Sequence, residues 1–154
     1  MSRVEREEIS PLRRSADSDE LTGLSSRSFF ERAAGRRIEQ ARDNGTPLAC
    51  VLLDVDDFKA YNDSHGAGDE ILRCVARILR ESARADDLVG RYGGEEFVLL
   101  VNGEVGDARK VAERIRQAVQ TTCVPQDGNM LERPTTVSLG VVPLSDETKS
   151  LETA

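Results

Sequence analysis

A pair of adjacent glycines in the second half of the chain places the strongest constraint on its fold. Gly93 and Gly94 are followed by two acids and then by an apolar run, in the stretch Arg91-Tyr92-Gly93-Gly94-Glu95-Glu96-Phe97-Val98-Leu99-Leu100. Glycine tolerates positive φ at both central positions of a tight turn. The stretch therefore predicts a β-hairpin with Glu95 and Glu96 at its mouth. Such a turn suits a metal site, although an ordinary surface hairpin with a charged tip has the same local sequence.

Length and charge limit the class of protein. The 154 residues suffice for one domain with its own core, and the net charge of −7 disfavours non-specific binding to nucleic acid. No apolar run approaches the ~20 residues of a membrane helix, and the first residues lack the apolar core of a secretory signal, so we expect a cytoplasmic protein. The three cysteines, Cys50, Cys74 and Cys123, are predicted to be small buried side chains and neither disulfides nor zinc ligands.

Hydrophobic periodicity predicts the order helix, strand, helix, hairpin, helix, strand. The predicted ranges are 25–44, 48–53, 69–83, 87–101, 107–121 and 135–142. The continuous apolar run at 48–53 indicates a central strand buried on both faces. We therefore predict an α/β (α+β) sandwich, with a mixed, mostly antiparallel sheet flanked by helices. The polar residues 1–18 are predicted to be a linker or the remnant of a connection to a regulatory module.

Acids also end the predicted central strand, as Asp54-Val55-Asp56-Asp57. If the hairpin lies beside this strand, Asp54 approaches Glu95 and Glu96. Two like charges ~4 Å apart repel by roughly 4 kcal/mol at an effective dielectric of ~20, so such a cluster favours a bound cation. Oxygen ligands alone indicate Mg²⁺ or Mn²⁺, and paired ions of this kind promote phosphoryl displacement. The competing interpretation is that strand ends simply favour solvated acids.

The residues after these acids suit a nucleotide. Lys59 is a point charge that suits a phosphate. Asn62 and Asp69 offer an amide and a carboxylate, and a carboxylate favours the guanine edge over the adenine edge. Taken alone, each of the two is more typical of a turn or a helix cap, and only their combination suggests a guanine site.

With these residues the chain resembles the GGDEF domain of bacterial diguanylate cyclases, in the variant in which two Glu follow the glycine pair. The matching motifs are Asp19-Glu20-Leu21-Thr22-Gly23-Leu24-Ser25-Ser26-Arg27, Asp54-Val55-Asp56-Asp57-Phe58-Lys59, Asn62-Asp63, Gly68-Asp69, Gly93-Gly94-Glu95-Glu96-Phe97 and Thr136-Val137-Ser138-Leu139-Gly140-Val141. The resemblance implies a sheet like that of nucleotidyl cyclases and polymerase palms. It implies a catalytic domain at residues 19–154 that lacks the family's C-terminal helix segment.

The resemblance also implies an activity, the condensation of two GTP into cyclic di-GMP by a dimer. Metal ions, two per site, would be held by Asp54, the main chain of Val55, Glu95 and Glu96. The substrate-binding residues would be Phe58, Lys59, Asn62, His65, Asp69, Gly93 and Gly94. Arg84 and Asp87 match the family's inhibitory RxxD motif and imply a second site for the product.

Departures from the family pattern leave other functions open. Ser26 stands where the family usually has Asn, the segment from Asn62 to Gly68 is shorter than usual, and the last basic segment is missing. A GGDEF-type module that binds GTP or cyclic di-GMP without turnover is the main alternative. A palm-type cyclase that acts on one nucleotide is a weaker one.

Overall fold

The elements of the chain follow the predicted order. The computed structural model describes residues 16–59, 68–123 and 135–144, so Asn62 and His65 lie outside the described residues. The elements are α1 (Arg27–Asn44), β1 (Ala49–Val55), α2 (Gly68–Ser82), β2 (Leu88–Arg91), β3 (Glu96–Val101), α3 (Val105–Thr122) and β4 (Val137–Pro143). Within these ranges no helix combines the length and the apolar character needed to cross a bilayer.

The strands form a sheet in the order β2-β3-β1-β4. Each pairing among these strands is antiparallel. The only parallel pairing in the described residues is the bridge between Ser25 and Gly90, which attaches the segment before α1 to β2. The predicted fold class is confirmed, and the sheet is more uniformly antiparallel than expected.

Helices α2 and α3 cover one face of the sheet and form the larger core. Alternate residues of β1 and β3 point into it, because successive side chains of a strand face opposite sides. Leu99, Val75 and Ile115 are fully buried there, one each from β3, α2 and α3.

Helix α1 covers part of the other face. It packs Phe30 and Ile38 against Cys50 of β1 and against β3. The cover does not extend along the whole of β1, and Leu52 remains 45% exposed. The prediction of a strand buried on both faces is therefore wrong at Leu52.

Both ends of α1 are capped by residues of the usual kind. Ser26 is the N-cap, and its hydroxyl accepts a hydrogen bond from the Phe29 N–H. Gly45 ends the helix with a φ of 67°, the left-handed conformation that glycine adopts without strain.

The cysteines only partly follow the prediction. Cys50 is free and buried, as expected. Cys74 of α2 and Cys123, the C-cap of α3, form a disulfide, so that part of the prediction is wrong. These residues are 49 apart in sequence, and the packing of α2 on α3 brings their Cα atoms to 5.8 Å. Sequence spacing alone does not reveal that proximity.

Candidate active site

The two acidic segments meet at one end of the sheet. Asp54, near the end of β1, lies opposite Glu96, the first residue of β3. The Val55 N–H donates a hydrogen bond of 3.1 Å to the Glu95 main-chain oxygen. The condition for an acidic cluster, that the hairpin lies beside the central strand, is therefore met. Asp54 and Glu96 are both exposed, so a ligand can reach their carboxylates from solvent.

At this end of the sheet, negatively charged carboxylates lie close enough together for their charges to interact. Partial burial raises the pKa of Glu95 above its ordinary value, and the negative charges of Asp54 and Glu96 raise it further. A cation would relieve that repulsion, and the all-oxygen donor set suits Mg²⁺. In the described parts of the chain, however, no group of three or more Asp, Glu, His or Cys side chains is gathered around one point as a metal centre.

The glycine pair serves a purpose different from the one predicted. Among the described residues, the glycines with positive φ are Gly23 and Gly45, so the expected left-handed turn at Gly93 and Gly94 is wrong. The hairpin instead has a longer loop, in which the N–H groups of Tyr92 and Gly93 both donate to the Glu96 main-chain oxygen. A Cβ at Gly93 would overlap the Glu96 carboxylate, whereas a Cβ at Gly94 would meet nothing within 4 Å. Gly93 therefore makes room for Glu96.

The residues that follow β1 divide into different environments. Asp56 accepts hydrogen bonds from the hydroxyls of Thr136 (2.8 Å) and Ser138 (2.6 Å), which attach the end of β1 to β4. Phe58 is half-buried against the larger core, and Lys59 is exposed. Lys59 is thus the residue of this segment that can reach a phosphate.

Helix α2 begins at Gly68, one residue earlier than predicted. Asp69 is exposed in its first turn, where a carboxylate interacts favourably with the helix dipole. This position leaves the Asp69 side chain accessible to a ligand.

The predicted inhibitory residues lie between α2 and β2. The Asp87 carboxylate accepts hydrogen bonds from the main-chain N–H groups of Arg84 (2.9 Å) and Asn102 (3.3 Å). Arg84 is exposed and lines a groove of about 440 Å³ together with Lys110 and Arg114 of α3. Asp87 therefore shapes the turn, and Arg84 lies at a groove of mixed charge, which Asp107 and Glu113 also line.

Comparison with known proteins bears on what this site is. The family model described as "Diguanylate cyclase, GGDEF domain" matches residues 16–154. The chain belongs to the GGDEF domain family.

Relatives and solved structures agree with this assignment. Diguanylate cyclase DosC of Escherichia coli K12 is 41% identical over 119 residues, which cover 75% of this chain and 25% of DosC. Response regulator PleD of Caulobacter vibrioides is 40% identical over 131 residues, 82% of this chain and 28% of PleD. The GGDEF domain of DgcB from Caulobacter crescentus, solved with c-di-GMP, has a TM-score of 0.78 at 32% identity and covers 85% of this chain and 77% of its own. The chain spans about a quarter of the length of the curated relatives.

The GGDEF domain holds its signature loop with residues to which the sequence assigned no role. The Arg91 guanidinium donates to the main-chain oxygens of Gly93 (3.2 Å) and Gly94 (2.8 Å). It also donates to both carboxylate oxygens of Asp19 at 3.2 Å. Burial alone would raise the pKa of Asp19, but hydrogen bonds from Thr22 and Arg91 outweigh that effect and lower it. The sequence signal that could have identified this role of Arg91 is its position directly before the loop.

A second contact attaches the loop to α1. The Tyr92 hydroxyl donates a hydrogen bond of 2.6 Å to Glu31, which also pairs with Arg27 at 3.1 Å. Burial and then the bond to Glu31 raise the pKa of Tyr92 to about 12, so the phenol stays protonated at neutral pH. The loop is thus held on both sides by polar contacts.

Replacing Gly93 with alanine is expected to reduce activity while leaving the fold intact. The new methyl group overlaps the Glu96 carboxylate. Because that carboxylate is the end of a flexible side chain, it moves aside and the backbone keeps its conformation. We expect a loss of turnover of about tenfold or more, since one misplaced charged group costs a few kcal/mol. The catalytic rate and the midpoint of urea unfolding are measured on the same preparations. Gly35→Ala is the matched control, because Gly35 is exposed on α1 and a Cβ there would meet nothing within 4 Å. Equal losses in the two variants would contradict this role of Gly93.

Proposed function

We propose that this GGDEF domain is a diguanylate cyclase that condenses two GTP into cyclic di-GMP and releases two pyrophosphates. The observation that carries the proposal is the pairing of Asp54 with Glu96 beside the Gly93–Gly94 loop. Membership of the family supports it, as does the name of DosC, a diguanylate cyclase 41% identical to this chain.

The acidic end of the sheet would hold Mg²⁺ (or Mn²⁺), two ions per site. Asp54, Glu95, Glu96 and the main-chain oxygen of Val55 would be the ligands. When bound, such ions lower the pKa of an attacking hydroxyl and neutralise charge on the phosphates. Burial and then the negative charges of Asp54 and Glu96 raise the pKa of Glu95. The closeness of these charges supports a role in cation binding.

The other residues of the site bind and orient GTP in this proposal. Exposed Lys59 pairs with a phosphate. Asp69 accepts hydrogen bonds from the guanine edge, with Asn62, Phe58 and His65 completing the binding set, and Gly93 and Gly94 let the main chain approach the nucleotide. Glu95 assists removal of the ribose 3′-hydroxyl proton, because a carboxylate with a raised pKa is a stronger base.

The two-fold symmetry of the proposed product indicates that the enzyme acts as a homodimer. One site holds one GTP, and the two-fold product has two identical linkages. Two domains that face each other supply both substrates and align each 3′-oxygen with the opposite α-phosphate.

The pH dependence of Mg²⁺ binding should reveal Glu95. A proton and a cation compete for the same carboxylate, so the affinity for Mg²⁺ falls as the pH falls through the pKa of Glu95. Because that pKa is raised, the loss begins at a higher pH than for an ordinary Glu, above about 4.5. Calorimetric titration with Mg²⁺ between pH 5 and 8 measures it, and Glu95→Gln should remove this step. A profile that is the same in both proteins contradicts the assignment.

We also propose that Arg84 and Asp87 form an inhibitory site for cyclic di-GMP. Arg84, Lys110 and Arg114 line one groove, where they can pair with the phosphates of the product, beside the acids Asp107 and Glu113. The structure of the DgcB GGDEF domain with c-di-GMP supports the product as a ligand of this type of domain. Asp87 contributes by holding the turn that presents Arg84.

Replacing Arg84 with alanine is expected to weaken cyclic di-GMP binding at this groove about ten- to hundredfold, the usual effect of losing charged hydrogen bonds. Calorimetry in EDTA isolates this site from the cation-dependent one. Arg36→Ala, an exposed arginine on α1, is the matched control. Unchanged binding by the Arg84 variant would rule out this site.

Product analysis tests the main proposal. Incubation of the domain with GTP and Mg²⁺, followed by chromatography, should yield cyclic di-GMP. Binding of GTP without any product would favour the catalytically silent module, a candidate that the lack of a gathered acidic cluster in the described residues supports. A monomeric cyclic nucleotide would indicate the palm-type cyclase.

A further inference from the structure

Cys74 and Cys123 differ from each other in a way that suits redox chemistry. Cys74 lies on α2 and is half-exposed, whereas Cys123 at the end of α3 is 2% exposed. Their Cα atoms are 5.8 Å apart, within the range in which a disulfide closes without backbone movement. One cysteine is therefore accessible to an oxidant, and the other lies within bonding reach behind it.

A cation lies beside the accessible cysteine. The Arg77 guanidinium, one helical turn along α2, donates to the Cys74 sulfur at 3.7 Å. A neighbouring arginine stabilises a thiolate, which is the reactive form of cysteine. Cys50 has the opposite environment, because burial raises its pKa to about 12 and keeps it protonated.

We propose that Cys74 and Cys123 are a reversible oxidation site for a hydroperoxide, in which Cys74 is attacked first and Cys123 resolves the product. The Cys74 thiolate attacks one peroxide oxygen and the O–O bond breaks, so that Cys74 becomes a sulfenic acid. The leaving hydroxide (or alkoxide, from an organic hydroperoxide) takes a proton from solvent and departs as water (or an alcohol). The Cys123 sulfur then attacks the Cys74 sulfur, the S–O bond breaks, and a second water leaves as the disulfide forms. A dithiol then reduces the Cys74–Cys123 disulfide back to two thiols and is itself oxidised to a disulfide.

The cross-link has a physical consequence that is independent of any cyclase activity. It joins α2 to the end of α3 across a sequence separation of 49 residues. Closing a loop of that length restricts the unfolded chain, so the oxidised protein should melt at a higher temperature than the reduced one, by about 5–15 °C.

The test uses the whole chain, first reduced with dithiothreitol and then treated with hydrogen peroxide. Denaturing alkylation should show the loss of two thiols, peptide mass spectrometry should show Cys74 joined to Cys123, and the Tm should rise and fall again on reduction. In Cys123→Ser, dimedone should trap Cys74 as the sulfenic acid, and in Arg77→Gln oxidation should be slower. Cys50→Ala is the matched control, and after peroxide it should show the same Cys74–Cys123 cross-link and the same rise in Tm on oxidation as the parent protein.

Specific outcomes would overturn the proposal. They are full alkylation of both cysteines after peroxide, oxidation of Cys74 to sulfinic acid without a cross-link, or a cross-link between two molecules. Cys74→Ser covers the case in which the Cys123 variant fails to fold, because it should leave Cys123 inert to peroxide. These readouts are thiol states and melting temperatures, so they stand whether or not the domain proves to be a cyclase.

Discussion

Replacing Asp54 with asparagine is expected to lower the rate of the proposed cyclic di-GMP formation by about a thousandfold or more. The change keeps the size of the side chain but removes the charge opposite Glu96. A ligand to a catalytic cation contributes several kcal/mol to the transition state, which corresponds to losses of this size. The fold should survive, because Asp54 is exposed. Product chromatography with GTP and Mg²⁺ gives the rate, and calorimetry gives the affinity for Mg²⁺.

Glu39→Gln is the matched control for that change. Glu39 is an exposed acid on α1 whose removal alters the net charge equally, outside the proposed site. A cyclase rate that survives in the Asp54 variant would contradict the proposed role of this carboxylate. So would a variant that unfolds, because it would show that Asp54 is a structural acid.

Replacing Phe97 with alanine is expected to lower the free energy of unfolding by about 3–5 kcal/mol, the usual cost of deleting a buried aromatic ring. Phe97 belongs to the signature but is only 1% exposed, and it packs into the larger core under α2 and α3. Urea unfolding followed by circular dichroism measures the loss. Activity should fall with the folded fraction.

Leu52→Ala is the control for the Phe97 variant. Leu52 lies on the neighbouring strand but is 45% exposed, so the same assay should show a loss of about 1 kcal/mol or less. Comparable losses in the two variants would mean that Leu52 is covered in solution.

The loop that carries Glu95 and Glu96 was predicted from the sequence in part. The hairpin was predicted, since strand pattern and turn residues are local signals. The closeness of Asp54 to Glu96 was expected only if the hairpin lay beside the central strand, which is a pairing between distant parts of the chain. The role of Gly93 was predicted wrongly. A glycine pair suggests positive φ, whereas here the need for glycine comes from a carboxylate that folds back over the position.

By itself, the sequence determined the kinds of elements, their order, and the acidic residues that end β1 and begin β3, because hydrophobic period and turn chemistry act between near neighbours in the chain. Tertiary structure decided which distant residues meet. It joined Arg91 to Asp19 across 72 residues, brought Cys74 to Cys123, and left Leu52 outside the cover of α1. Such contacts depend on how helices pack on a finished sheet, and no local pattern in the chain encodes that packing.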